Sequence, residues 1–411
     1  MKKLLLYALL LLLAAPRLAS AQLAAPDTTK GRYYQPIFAG VTVTQNVPYG
    51  SATKYDGTTQ QLLMDVYQPT GDTVKRRPLI IFAHGGGFLF GAKNDGYPVA
   101  FCTRLAKLGY VTASIEYRLG FPITGLAMPA DTPQIALAAI RGGHDMKAAV
   151  RYFRQDAATA KTYRIYSNYI IVAGSSAGAF AALETGYLDK LSEVPAYVNI
   201  AALGGIEGSS GNPGYSSAVV AVVNLSGATE KPSVIEPGNA ALCSVHGTAD
   251  TTVPYAQGKV GSLLPPKYVY GSGTLNPYAT TVGVRNVLRR FSKAGHVPFE
   301  SNSAYADTTF WTVRDFLRPQ LKLAGTVLAA RASAPAASIQ AYPNPARDAV
   351  QLLLPATWSR LGDAELLDVT GRVVRRISPQ AQAVAVPRSG LAPGLYLLRF
   401  GGQAPVRVVF E

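Results

Sequence analysis

Residues 170–180 read IIVAGSSAGAF: an apolar, β-branched run closing on Gly174, two serines, a second glycine at 178 and the start of an alanine-rich stretch. The pattern is that of a buried strand turning at once into a helix. Gly174 and Gly178 set Ser176 in the arrangement G-x-S-x-G, with Ser175 one position out of register. A turn this tight presents the serine hydroxyl at a helix N-terminus, and flanking residues without side chains let neighbouring backbones close in.

Outward from this turn, from Tyr33 to about Leu323, short β-rich runs alternate with longer stretches of helical period. PLIIFAHGGGF reads as a buried strand ending in a glycine loop, FCTRLAKLGY as a helix, VTASIEYRL as a strand and HDMKAAVRYFRQDAATA as a second helix. SNYIIVAG and SAGAFAALETGYL follow as strand and helix, then AVVAVVNLSGA and ALCSVHGTAD as two further strands. Such alternation predicts an α/β fold, a mostly parallel sheet with helices on both faces. The Gly-, Pro-, Ser- and Tyr-containing stretch between Gly186 and Ser217 has no clear period and suits a cap or loop over a site.

A serine hydroxyl needs a base before it attacks, and the chain contains 4 histidines. His84 opens the glycine loop, His144 lies on a helix and His246 ends a strand, which leaves His296, in KAGHVPF, as the expected base. Asp250, in HGTADTTVP, follows a strand and is the expected acid, with Glu230 and Glu236 as weaker alternatives in a Pro-containing connection. The chain order Ser, Asp, His excludes the orders of chymotrypsin and subtilisin. For a developing oxyanion, the backbone amides of Gly86 and Gly87 in HGGGF and of Ala177 after the serine are the expected donors.

LIIFAHGGGF, SIEYRL, GSSAG, HGTADTTVP and GHVPF together resemble the α/β-hydrolase superfamily, specifically secreted carboxylesterases with an HGGG oxyanion loop, over roughly residues 35–320. The resemblance implies a Ser176, Asp250, His296 triad, oxyanion amides at Gly86, Gly87 and Ala177, no cofactor and no metal. It also implies a small-molecule or polymer-borne ester as substrate: short-chain or aromatic esters, or acyl substituents of polysaccharide. Two alternatives stay open, a serine exopeptidase of the same fold and a hydrolase fold used only for binding.

Composition shifts at AGTVLAARASAPAAS, residues 324–338, to a small-residue linker. The remainder reads as a compact all-β, sandwich-like module of short strands and turns. AYPNPARDAVQL, AELLDVTGRVVRR and LAPGLYLLRF are similar to the C-terminal sorting domain of the type IX secretion system. That likeness implies passage through periplasm and outer membrane by way of the secretion machinery, to release or to the cell surface. The expected organisation is a signal peptide at 1–21, a catalytic domain at 22–323, a linker at 324–337 and a sorting domain at 338–411. MKK, the apolar run LLLYALLLLLAAP and RLASAQ carry the signal reading.

The chain has 411 residues, 48% of them hydrophobic, enough for more than one folded unit. Its net charge of +15 is scattered without blocks, which argues against nucleic acid as a partner. No stretch beyond the leader is apolar and long enough for a membrane span. Cys102 and Cys243 allow one disulfide or two buried thiols, and sequence spacing leaves both open.

Overall fold

The computed structural model describes residues 26–122, 132–260, 267–327, 340–353, 364–368, 372–378, 383–400 and 406–411. The leader reading at 1–21 falls outside them.

An eight-stranded sheet organises the first part of the chain. Its strands are β1 (Val41–Thr53), β2 (Thr59–Pro69), β3 (Arg77–Ala83), β4 (Val111–Ile115), β5 (Ile165–Ser175), β6 (Ala221–Leu225), β7 (Ala241–Gly247) and β8 (Asn286–Phe291), in the spatial order β1-β2-β4-β3-β5-β6-β7-β8. From β4 to β8 every pairing is parallel, whereas β1, β2 and β4 pair antiparallel. Central strands buried on both faces need continuous apolar runs, and β3, β4, β6 and β7 are buried throughout. Edge strand β1 has one covered face and reads VTVTQNVPYGSAT, largely exposed.

Side chains alternate between two helical layers, as strand geometry requires. Leu79, Ile81, Ile170, Val172 and Val222 share a core with helices α2 (Thr132–Ala158), α3 (Ala177–Tyr187) and α4 (Ser272–Thr281). Ile80, Phe82, Ile171, Ala173 and Val223 pack on the other face with α1 (Gly96–Lys107) and α6 (Ser303–Val327). The short helix α5 (Pro298–Ser301) precedes α6, which runs past Leu323 into the segment read as linker. Cys102 on α1 and Cys243 on β7 lie in this second core as free, buried thiols. Burial pushes both up to about 12.

Part of the stretch expected to cap a site is tied down elsewhere. Lys147 on α2 donates to the carbonyls of Leu188 and Ile206, at 2.8 Å each. Arg151 reaches the Gly211 carbonyl and the Glu207 carboxylate, and Asn212 donates to the Tyr49 carbonyl. Residues 206–212 are therefore strapped along α2 and β1. Irregular backbone buried in this way must find its hydrogen bonds in side chains, which a periodicity search does not detect.

The C-terminal region forms two antiparallel sheets, one of Gln340–Tyr342, Ala349–Leu353 and Ala383–Pro387, the other of Val373–Ile377, Ala364–Leu367, Gly394–Phe400 and Val406–Phe410. Val350, Leu352 and Val386 from the first share one core with Leu366, Leu398 and Val408 from the second, a sandwich in agreement with the sequence pattern.

Candidate active site

The chain runs from β3 outward to β4, then crosses by α2 to β5 on the opposite side of β3. The carboxyl ends of β3 and β5 thus flank the topological switch point, the crevice that an open α/β sheet offers a ligand. HGGGF leaves β3 at this point and Ser176 leaves β5.

Ser176 has φ 51° and ψ −118°, a strained conformation for a residue with a side chain. Its amide donates to the Leu225 carbonyl at 2.8 Å, so strand β6 helps to hold the turn. The two glycines of the motif have separate steric reasons. A Cβ at Gly174 would stand 2.1 Å from the Gly178 carbonyl oxygen, and one at Gly178 would stand 2.1 Å from that of Ala83. Gly178→Ala has no flexible neighbour to displace, so it is expected to destabilise the fold by about 3 kcal/mol, the upper end for overpacking, read by urea unfolding.

The loop after β8 brings His296 to the serine, with Ser176 Oγ 2.8 Å from His296 Nε2. On the other side of the ring, His296 Nδ1 lies 2.7 Å from Asp250 Oδ2. Asp250 and His296 sit on two loops that are stitched together. Ala249 donates to the Ala294 carbonyl, Lys293 donates to Thr248 Oγ1, and a Cβ at Gly247 would lie 2.1 Å from the Gly295 oxygen. Glycine at 247 is what lets the acid and base loops touch.

The Asp250 side chain is fully buried, and its other oxygen accepts from the amides of Thr252 and Val253 at 2.9 Å each. Burial alone would raise its pKa, yet the bonds from His246 and His296 outweigh it and hold the carboxyl well below the usual range. His246, set aside as a base, stands 3.3 Å from Asp250 Oδ2 through Nε2, and its Nδ1 is 2.8 Å from Ser272 Oγ. The same Nε2 lies 3.0 Å from the Val253 carbonyl, so His246 ties the end of its strand to the Asp250 loop on the far side of the acid. The spacing in HGTAD, histidine four residues before the aspartate at a strand end, is the signal that could have found it. Replacing His246 by Ala strips buried Asp250 and Ser272 of a partner, with an expected loss of about 2 kcal/mol in stability by urea unfolding.

At the mouth of β3, a Cβ on Gly85 would contact the Ser176 Cβ at 3.4 Å, so the glycine loop lies against the serine. Gly86 and Gly87 both have positive φ, 111° and 64°. Their amides and that of Ala177 donate to no other group among the described residues. His84 braces the loop through the Gly85 carbonyl, 2.7 Å from Nδ1, and stacks on Tyr117. Ser175 points the other way and donates to Glu300 on α5, tying the serine turn to the helix that follows His296. Of the remaining sequence candidates, Glu230 pairs with Lys267 and Glu236 with Lys190, while His144 is buried on α2. Among the described residues no cluster suited to a metal ion occurs.

Residues 64–236 match the BD-FAE family, and residues 340–408 match the secretion system C-terminal sorting domain. These two matches support a hydrolase-type domain followed by a C-terminal sorting domain. The BD-FAE match spans the glycine loop and Ser176, and the sorting domain indicates type IX export to the cell surface or the medium. Among the described residues no helix is long and apolar enough to cross a membrane.

Among solved structures, the apo form of Thermogutta terrifontis esterase 2 is 22% identical, with 68% of this chain and 94% of that chain covered and a TM-score of 0.46. The propionate-bound form of the same esterase gives 22%, 68%, 94% and 0.45, and the form phosphorylated by paraoxon gives 22%, 68%, 94% and 0.46. No curated protein matches the chain.

Proposed function

We propose that the BD-FAE domain is an exported serine carboxylic ester hydrolase working by acyl transfer through Ser176, His296 and Asp250. The observation that carries this reading is the continuous relay from Ser176 Oγ to His296, 2.8 Å, and on to Asp250, 2.7 Å, at the switch point of the sheet.

Ser176 Oγ attacks the ester carbonyl as His296 Nε2 takes its proton. Asp250 holds His296 in the tautomer with its proton on Nδ1 and stabilises the imidazolium that forms. Negative charge gathers on the former carbonyl oxygen, where the free amides of Gly86, Gly87 and Ala177 receive it without reorganising. His296 then passes its proton to the departing alcohol. A water molecule, deprotonated by the same nitrogen, releases the acid and restores the serine.

The export route directs the reading to esters outside the cell: short-chain or aromatic esters, or acyl groups on polysaccharide. Hydrolysis of p-nitrophenyl esters from acetate to palmitate by the full chain tests it. We expect turnover, and a protein that hydrolyses none of them is not an esterase of this kind.

A further inference from the structure

A pocket opens one helical turn from Ser176, with about 550 Å³ of empty space counting that open to solvent. Ile135 and Ala139 of α2, Phe180 and Glu184 of α3, Val234 and Val269 line it. Phe180 and Glu184 are four residues apart and so share a side of α3, which begins directly after Ser176. At 1.5 Å per residue the Glu184 backbone lies about 12 Å along the helix axis from the serine, and side chains lean back toward the helix N-terminus.

The walls are largely apolar, interrupted by Glu184, Glu193, Glu230, Lys231 and Lys267. Glu184's carboxyl makes no hydrogen bond or ion pair among the described residues, and its Cβ is held close to Gly143 of α2. The other acidic groups of the pocket are engaged. Glu230 accepts from Tyr197 at 2.5 Å and lies 2.7 Å from Lys267, while Glu193 accepts the amides of Asp189 and Lys190 at 2.8 Å. Burial pushes Glu184 up to about 7, so near neutrality its carboxyl is present in both forms and each can accept a hydrogen bond. A half-buried carboxyl with no protein partner, set in a pocket wall, can receive a ligand that supplies a donor.

The position also decides which half of an ester enters. The departing alcohol must lie by His296, whose loop packs through Ala294, Val297 and Phe299 into the core shared with α1 and α6. The pocket belongs to the opposite layer, with α2 and α3. On this arrangement the acyl half of the ester is the one assigned to it.

Resting on the reading of Ser176 as nucleophile, we propose that this pocket is an acyl subsite for chains that end in a hydrogen-bond donor, a hydroxyl or an ammonium, received by Glu184. The test uses p-nitrophenyl esters of octanoate, 8-hydroxyoctanoate, 8-aminooctanoate and suberate (one carboxyl free), with p-nitrophenyl acetate as control. Rates are compared for the full chain and its Glu184→Leu and Glu184→Gln variants, each checked for folding by thermal unfolding.

The unmodified chain is expected to favour the hydroxyl- or amino-ended ester over octanoate by about tenfold in kcat/KM, and Glu184→Leu to reverse that preference. Preference for only the amino ester assigns the ionised carboxyl, and preference for the hydroxy ester shows that a neutral donor suffices. An unchanged preference in both variants, or a preference for suberate, overturns the subsite while turnover of acetate leaves the Ser176 reading standing. Failure on acetate and on every other ester of the set overturns the Ser176 reading, and this subsite with it.

Discussion

Ser176→Ala is expected to lower kcat on p-nitrophenyl acetate by about a millionfold, the scale seen when a triad nucleophile is removed, with the unfolding midpoint little changed. The hydroxyl is the only part of Ser176 that the relay uses, 2.8 Å from His296 Nε2, and alanine keeps the backbone path of the turn. Positive φ is costly for alanine as for serine, so no strain is added by the change. What activity remains would come from water attacking an ester whose oxyanion the amides of the glycine loop stabilise. A variant that keeps a tenth of the rate would place the nucleophile elsewhere, and Ser175, turned toward Glu300, is poorly aimed to replace it.

Asp250→Asn is expected to cost about ten-thousandfold in kcat near neutral pH. Asp250 Oδ2 accepts from His296 Nδ1 at 2.7 Å and stands 3.3 Å from His246 Nε2. An amide nitrogen in its place is a donor, so His296 turns its lone pair to residue 250 and carries its proton on Nε2, where it cannot accept one from Ser176. Measuring kcat together with the urea midpoint separates this from unfolding. Retained activity would shift the acid role to Glu300, which also lies in the field of His296.

The same carboxyl links acidity to stability. Its folded pKa is depressed, so ionised Asp250 stabilises the fold above the unfolded carboxylate value, and this contribution is lost as pH falls toward the folded value. The Asn variant should accordingly show a flatter decline of stability with acid.

Legibility in the sequence followed the physics of each element. Strands β3 and β7 are short and apolar, the second half of β5 is an apolar run closing on Gly174, and the serine turn carries its steric requirements in the letters G-x-S-x-G. His296 was reachable by elimination because few histidines compete. Strand β1 was not read, since a sheet edge exposed on one face mixes Thr, Gln and Asn with Val and Tyr. Helix α2 begins at Thr132, twelve residues before the stretch first read as helix, because IALAAIRGG carries two glycines that weaken the pattern. Those glycines let α3 approach, and a Cβ at Gly143 would be 2.8 Å from that of Glu184. His246 escaped because its role is defined only by the position of Asp250, and Glu184 because a carboxyl inside a helix reads as a solvated face.

The two thiols have a practical consequence. Cys102 and Cys243 come from α1 and β7, opposite walls of one core layer, and neither reaches solvent. A fluorescent maleimide should leave the folded hydrolase unlabelled and mark it at both positions as soon as that layer opens. The chain thereby carries its own clock for unfolding, readable in a crude culture supernatant. Its folding also draws on no oxidant, so passage through a reducing or an oxidising compartment is expected to deliver the same hydrolase domain.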